Sequence, residues 1–258
     1  MLSINYLSIG YNRKGKNIVV QSDLNLLLNS GELVCLVGPN GSGKSTLLRT
    51  LAGLQQPLSG QIFIDDEDIF SLSARQKALR LAMVLTERID IENTTVEQIV
   101  AMGMQPHTSW WGTISSSQKK KINDYLEFVN LQAFKDRFIN KLSDGERQRA
   151  MIARALAQDT PHIFLDEPTA HLDLPNRIEI MLLLRHLAHS ADKAILISTH
   201  ELEIALQVAD IIWLLSNELP VQIGTPAELI ANGTFERVFN SENYSFIADN
   251  EYFIKLKK

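Results

Sequence analysis

Short apolar segments alternate with longer amphipathic ones along the chain, and this alternation predicts an α/β fold. Segments with alternating or clustered apolar positions are typical of strands, and they lie at 2–11, 18–28 and 60–64. Compact apolar runs are typical of buried parallel strands, and they lie at 32–37, 162–166, 194–198 and 211–215. Helical patterns separate them, through Leu47 to Leu54 and over 177–187 and 201–208. This order favours a sheet with helices on both faces.

The middle of the chain differs from this alternation, because residues 73–158 read as mostly helical. Within it, Ile122, Leu126 and Val129 are spaced to line one helical face. We therefore expect an inserted helical subdomain. The end of the chain carries less information: residues 226–230 resemble a short helix, and the last residues are expected to form a strand or a dimer contact.

Composition narrows the classes of protein and of partner. Hydrophobic residues make up 45% of the chain, which excludes a disordered protein and indicates a sizeable core. The 25 basic and 30 acidic residues give a net charge of −5, whereas duplex binding normally requires a basic excess. We expect no nucleic-acid partner. The single Cys35 cannot form an intrachain disulfide.

The apolar runs are also far shorter than the roughly 20 residues that a membrane-spanning helix needs. The first residues carry no apolar segment behind a basic start, so no signal peptide is visible. We therefore expect the chain to lie in the cytoplasm, with any membrane contact made through a partner.

A phosphate-binding loop is the most specific motif. Residues 38–45 read Gly-Pro-Asn-Gly-Ser-Gly-Lys-Ser and match G-x-x-x-x-G-K-[ST] at every position, after an apolar strand and before a helix. The glycines allow backbone N–H groups to face phosphate oxygens, and the helix N-terminus faces the same place. In this pattern Lys44 reaches the β- and γ-phosphates, and the Ser45 hydroxyl binds Mg²⁺. The sequence therefore predicts a nucleoside triphosphate site.

Two carboxylates end another apolar strand, at Asp166 and Glu167. In a P-loop fold such a strand lies beside the one that feeds the loop. Asp166 is then expected to hold Mg²⁺ through water. Glu167, one residue further on, is placed to polarise the attacking water.

Further motifs make the assignment specific. Residues 142–146 read Leu-Ser-Asp-Gly-Glu, and with the Walker A motif at 38–45 and the Walker B motif at 163–167 the chain resembles the ATP-binding cassette (ABC) ATPases. Their signature motif typically reads L-S-G-G-Q. Residues 170–173 are similar to the family's D-loop, His200 stands at the switch histidine, and Tyr11 matches the aromatic residue that stacks on adenine. The motifs follow the family's order over nearly the whole chain.

The resemblance implies a fold and an assembly. The expected fold is α/β, a P-loop NTPase of ABC type with a mostly parallel core sheet, an N-terminal antiparallel β subdomain and an inserted α-helical subdomain. Residues 1–258 would form one ATPase domain, with the helical subdomain at about 87–158 and a C-terminal extension at 225–258. Two copies would form a head-to-tail homodimer that holds two ATP molecules between the subunits.

The resemblance also implies the site residues. Ser143 and Gly145 of one subunit would contact the γ-phosphate held by the other subunit's P-loop, and His200 would bond the γ-phosphate in its own subunit. The residues expected in catalysis are Glu167, His200 and Lys44. Those expected to bind ATP are Tyr11, Gly38, Asn40, Gly41, Ser42, Gly43, Lys44, Ser45, Thr46, Ser143, Gly145, Glu146 and Asp173. Those expected to bind Mg²⁺ are Ser45, Asp166 and Thr86.

The chain departs from the family pattern at two places. Asp144 and Glu146 bring negative charge into the signature; Ser143 and Glu146 also match a capping box, and we expect the helix dipole with Arg147 and Arg149 to offset the charge. The family's Q-loop glutamine is replaced by Thr86 or, if the alignment shifts by one residue, by Glu87. The pattern does not choose between them.

A local resemblance points to a subfamily. Residues 103–107, followed by the pair Trp110 and Trp111 and a serine-rich helix start, are similar to the ATPases of importers for iron–siderophores, haem and cobalamin. This implies membrane permease subunits, a substrate-binding protein that acts through the permease, and a location at the cytoplasmic face of the membrane. A permease helix would dock around residues 86–112. The alternative is a soluble ABC ATPase for assembly or remodelling, for example in iron–sulfur cluster biogenesis.

Overall fold

The computed structural model of the protein describes residues 1–13, 15–86, 92–107, 115–240, 244–249 and 251–256, the last two ranges by their backbone alone. Its strands are β1 (Leu2–Arg13), β2 (Lys16–Leu28), β3 (Leu33–Val37), β4 (Ser59–Ile64), β5 (Glu67–Asp68), β6 (Leu81–Val84), β7 (His162–Asp166), β8 (Ala194–Ser198), β9 (Ile211–Leu214), β10 (Gln222–Gly224), β11 (Tyr244–Asp249) and β12 (Glu251–Leu256).

The α-helices fill the segments between these strands. They are α1 (Lys44–Leu51), α2 (Ala74–Ala78), α3 (Val96–Gly103), α4 (Ser116–Phe128), α5 (Asp144–Ala157), α6 (Leu174–Ser190), α7 (Leu202–Val208), α8 (Pro226–Ala231) and α9 (Thr234–Phe239). Short 3₁₀ turns at Gln105–His107, Gln132–Phe134 and Ile139–Lys141 connect the middle helices.

The core sheet is parallel along most of its width. Among the described residues its order is β10-β9-β3-β8-β7-β6, and only the β10–β9 pair is antiparallel. The carboxyl ends of β3, β7 and β8 therefore lie along one edge. The central position of β3, β7 and β8 follows from their apolar composition. These strands are buried at every position, so both of their faces have to be covered.

Successive residues of the central strands face two different apolar cores. Leu33, Cys35 and Val37 pack with the middle helices, α6 and α7, whereas Val34 and Leu36 pack against α1 and the second sheet. This alternation is the period of two that side chains follow along a strand. The second sheet is antiparallel and has the order β2-β1-β4-β5 among the described residues. The predicted fold class is confirmed.

Two local predictions are refined by the structure. The stretch read as mostly helical also contains strand β6 at Leu81–Val84, which pairs in parallel with β7 at the edge of the core sheet. The helix predicted through Leu54 ends at Leu51, where Gly53 adopts a φ of +66° and turns the chain out of the helix. A left-handed glycine after a helix is a common C-terminal stop.

The end of the chain forms a helix pair and a hairpin. Strands β11 and β12 pair antiparallel, and β11 lies against α9. The short helix predicted at 226–230 is α8. Within the described residues, no helix has both the length and the apolar character needed to cross a membrane.

Candidate active site: an ATP site at the carboxyl edge of the core sheet

The phosphate-binding loop joins β3 to α1. Gly43 precedes the first residue of the helix with a φ of +98°, a conformation that favours glycine. A Cβ atom at this position would lie 2.5 Å from Cγ1 of Val20, so strand β2 closes against the loop. The glycine is thus required both by its backbone angle and by this close approach.

Gln21 fixes the loop from the next position of β2. Its side chain is buried, and Nε2 donates hydrogen bonds to the carbonyl oxygens of Ser42 at 3.0 Å and Ser216 at 2.6 Å. Neither Val20 nor Gln21 belongs to a sequence motif. No signal in the sequence marks Gln21, because Ser22 and Asp23, which follow it in the strand, are polar as well.

The Lys44 side chain folds back onto the backbone of the loop. Its Nζ donates hydrogen bonds to the carbonyl oxygens of Gly38 at 2.8 Å and Pro39 at 3.2 Å. Burial lowers the pKa of this ammonium group, while the charges of Glu167 and Asp166 act in the opposite direction. Within the described residues the hydrogen bonds of this buried cation go to neutral carbonyl groups, which it is well suited to exchange for the charged oxygens of a phosphate.

Asp166 is the centre of the polar cluster at the sheet edge. The carboxylate is buried, and its Oδ1 accepts hydrogen bonds from the hydroxyls of Ser45 at 3.1 Å and Ser198 at 2.6 Å. Carboxylate and hydroxyl oxygens are the ligands that Mg²⁺ prefers, so the donor set fits the ion. Ser198 was missed by sequence reasoning; it lies here because β7 and β8 pair Asp166 with Ser198.

Thr86 is bonded to the backbone of the same residue. Its Oγ1 donates a hydrogen bond to the main-chain carbonyl of Asp166 at 2.8 Å. The hydroxyl is therefore anchored to the end of β7, within the cluster where sequence analysis expected a third Mg²⁺ ligand. Glu87, the alternative, lies outside the described residues.

Glu167 and His200 face each other across the ends of β7 and β8. Nδ1 of His200 lies 3.5 Å from Oε2 of Glu167, and both side chains are accessible to solvent in part. Glu167 has a φ of +48°, a left-handed conformation that costs about 1–2 kcal/mol in a residue with a Cβ. Its N–H group is held by the carbonyl of Ser198 at 3.1 Å and by the hydroxyl of the same residue at 3.0 Å. Strain of this kind is concentrated at functional sites.

The signature segment lies at the N-terminus of α5 and contains the predicted capping box. Ser143 accepts a hydrogen bond from the N–H group of Glu146, while Oε2 of Glu146 accepts from the N–H group of Ser143 at 2.8 Å and from its hydroxyl at 2.9 Å. Arg147 pairs with Asp144 at 3.3 Å, as expected. Arg149 instead pairs with Glu179 of α6, so it does not compensate the signature carboxylates directly.

The first turn of α6, which follows the D-loop directly, packs against the signature. Asp173 caps α6 by accepting hydrogen bonds from the N–H group of Asn176 at 3.2 Å and from its side chain at 2.6 Å. A Cβ atom on Gly145 would lie 3.0 Å from the Asn176 side chain. Signature and D-loop thus form a second group, distinct from the cluster around Asp166.

The remaining predicted contacts lie around these two groups. Tyr11 is exposed on β1, where it pairs with Ile18 of β2. Asn40 and Gly41 lie at the tip of the loop, and Thr46 lies in the first turn of α1, where its carbonyl accepts a hydrogen bond from Thr50.

Comparison with known proteins identifies the family. The family model described as ABC transporter matches residues 21–170. An uncharacterised ABC transporter ATP-binding protein of Methanocaldococcus jannaschii is 38% identical over 253 residues, which is 98% of this chain and 86% of the relative. The petrobactin import ATP-binding protein FpuC of Bacillus anthracis is 32% identical over 258 residues, which is 100% of this chain and 93% of the relative.

Solved structures have the same fold. A metal-chelate type ABC transporter in an inward-facing conformation superposes with a TM-score of 0.80 at 27% identity, covering 98% of this chain and 95% of that one. A dimeric bacterial ABC transporter cassette superposes with a TM-score of 0.77 at 27% identity, covering 88% of this chain and 99% of that one. The chain therefore belongs to the ABC transporter family, as one of its ATP-hydrolysing cassettes.

Proposed function

We propose that this chain is the ATPase subunit of a membrane importer whose substrate is an iron chelate, such as a ferric siderophore or haem, or cobalamin. The observation that carries the ATPase assignment is the cluster of Ser45, Asp166 and Ser198 beside Lys44. The import assignment is supported by the petrobactin import protein and the metal-chelate type transporter to which the chain is similar.

Lys44 has the first role in the proposed cycle. Its ammonium group exchanges the carbonyl oxygens of Gly38 and Pro39 for the β- and γ-phosphate oxygens of ATP. Ser45 and Asp166 would hold Mg²⁺, which would supply charge neutralisation at the phosphates. Thr86 keeps the end of β7 in place through the Asp166 carbonyl.

Glu167 and His200 act on the reacting atoms. Glu167 accepts a proton from the attacking water, as a general base at the carboxyl end of β7. His200, whose Nδ1 lies 3.5 Å from that carboxylate, forms a hydrogen bond with the γ-phosphate bound in its own subunit. Catalysis is mainly positioning and charge stabilisation of the transferred phosphoryl group.

The second group completes the site of a partner subunit. Ser143 is exposed at the start of α5, so it is available to a second copy. In a head-to-tail homodimer Ser143 and Gly145 contact the γ-phosphate bound to the partner. The dimeric cassette that resembles this chain supports such an arrangement.

Docking to the permease would use the surface around residues 86–112. Leu85 and Met102 expose apolar side chains beside it, while residues 87–91 and 108–114, including the Trp110–Trp111 pair, lie outside the described residues. The chain would thus be peripheral at the cytoplasmic face of the membrane, and a substrate-binding protein would act through the permease.

A pull-down from native membranes in mild detergent tests the proposal. The bait is the tagged chain, compared with Met102→Glu on the proposed docking surface and with Leu54→Glu, another exposed apolar position, after α1. We expect a multi-span permease to copurify with the wild type and with Leu54→Glu, and to be lost with Met102→Glu. Candidate chelates added to the purified complex should then stimulate ATP hydrolysis.

Recovery of soluble proteins alone, with all three baits, would contradict the transport proposal. It would favour the soluble assembly or remodelling ATPase and would leave the ATP site unchanged.

A further inference from the structure

Glu201 follows His200 directly, and its carboxylate is buried. The side chain is 8% exposed, and within the described residues neither carboxylate oxygen accepts a hydrogen bond. An unpaired buried carboxylate is strongly unfavourable, so its charge requires a partner. We therefore expect an opposite charge to hold Glu201 in place beside the candidate catalytic histidine.

Arg177 of α6 supplies that partner. Its Nη1 lies 3.3 Å from Oε1 of Glu201, while its Nε donates a hydrogen bond to the carbonyl oxygen of Leu172 at 2.6 Å. Leu172 belongs to the D-loop. One rigid, planar guanidinium group thus connects the D-loop backbone to the carboxylate beside His200.

The segment around His200 is fixed at both of its ends. On one side, the N–H group of Thr199 is bonded to the carbonyl of Leu36 in β3 at 3.1 Å, and the Thr199 hydroxyl accepts the N–H group of Glu201 at 3.0 Å. On the other side, the ion pair with Arg177 holds Glu201. His200 itself is half exposed, so these two anchors set its position.

We propose that Arg177 is a positioning residue. By linking the Leu172 carbonyl to Glu201, it makes the position of His200 depend on the position of the D-loop. The inference rests on the proposed function, in which the D-loop faces the partner subunit and His200 bonds the γ-phosphate. Docking of a partner would then act on the histidine of the subunit that it contacts.

The first test compares Arg177→Met with Arg185→Met in the full chain. Methionine keeps an unbranched side chain but removes the charge and both contacts. Arg185 is a matched control on the same helix, where it donates a hydrogen bond to the carbonyl of Gln207 at the end of α7. We expect Arg177→Met to lower kcat for ATP about 10- to 100-fold with KM changed less than about twofold, as for a misplaced catalytic group. Arg185→Met should keep the wild-type values.

The second test separates positioning from a general loss of structure. In a His200→Ala background, Arg177→Met should cause no further loss of kcat, because the group that it positions is absent. Should Arg177→Met fail to fold, Glu201→Gln takes its place in the same cycle, since it breaks the ion pair without leaving a buried charge.

Two results would overturn the inference: wild-type kcat in both ion-pair variants, or an equal loss in the presence and absence of His200. Different results would contradict the proposed function: absence of ATP hydrolysis in the wild type, or full turnover in His200→Ala.

Discussion

The hydroxyl of Ser198 lies 2.6 Å from Oδ1 of Asp166 and also accepts the N–H group of Glu167 at 3.0 Å. A single side chain on β8 therefore holds the carboxylate of Asp166 and the backbone of Glu167 at the end of β7. Groups that orient a metal-binding carboxylate in this way usually change metal affinity when they are removed.

Replacement of Ser198 by alanine should weaken Mg²⁺ binding. We expect about a 10- to 100-fold rise in the Mg²⁺ concentration that gives half-maximal ATP hydrolysis, because Asp166 loses its shortest hydrogen bond. The backbone should hold, since the carbonyl of Ser198 still binds the N–H group of Glu167. Thr160→Val is the control: it removes a buried hydroxyl bonded to His162 at the opposite end of β7. Equal Mg²⁺ dependence in both variants would contradict the orienting role.

Glu167→Gln should separate hydrolysis from binding. The amide keeps the size and the backbone position of the residue but cannot accept the proton from water, so turnover should fall roughly 10²–10⁴-fold. ATP affinity, measured with a fluorescent analogue, should stay within about threefold of wild type because Lys44 and the loop are unchanged. Full turnover in Glu167→Gln would exclude this residue as the base.

Sequence patterns predicted the parts of the site that lie close together along the chain. The loop at 38–45 and the acidic strand end are local motifs, and the capping box of Ser143 and Glu146 depends on a spacing of three residues within one helix. Each of these can be read without knowledge of the fold.

The parts that were missed depend on pairings between distant segments. Ser198 reaches Asp166 through the pairing of β7 with β8, and Gln21 reaches Ser42 from a different sheet. Strand β6 lies within a region read as mostly helical; its short apolar run has no period of its own, and its place beside β7 makes it a strand. Arg149 was expected to offset the negative charge of the signature, but it forms an ion pair with Glu179 of the adjacent helix α6.

Glu146→Gln tests whether the acidic signature is functional as it stands. Glutamine can accept the same hydrogen bonds from Ser143, so the free energy of unfolding should change by less than about 0.5 kcal/mol. ATP affinity and turnover should change less than about tenfold, because the helix dipole and the Arg147–Asp144 pair already offset the charge. Ser143→Ala, which removes the cap, should cost about 1 kcal/mol and also lower turnover. A gain of orders of magnitude in Glu146→Gln would show that the charge is not offset.

Stability should fall in mildly acidic solution because of His162, which is buried at the start of β7. Its Nδ1 lies 3.1 Å from the carbonyl of Arg80, which can only accept, so the proton of the neutral ring is on Nδ1; Nε2 is buried and has no hydrogen-bond partner within the described residues. Burial lowers the pKa of this imidazole below its ordinary value of about 6.5. The unfolded chain therefore binds a proton at a pH where the folded chain does not.

The sign of the effect follows from that difference in proton binding. The contribution of His162 to the free energy of unfolding is fully present above pH about 6.5 and is lost as the pH falls toward the folded pKa, by up to about 1.4 kcal/mol per pH unit. Urea unfolding between pH 8 and pH 5 measures it. His162→Asn retains a donor to the Arg80 carbonyl but does not titrate, so its slope over this range should be smaller than that of the wild type. His171→Asn, at an exposed position with a φ of +67° that asparagine tolerates, should keep the wild-type slope. Identical slopes in the wild type and His162→Asn would exclude His162 as the source.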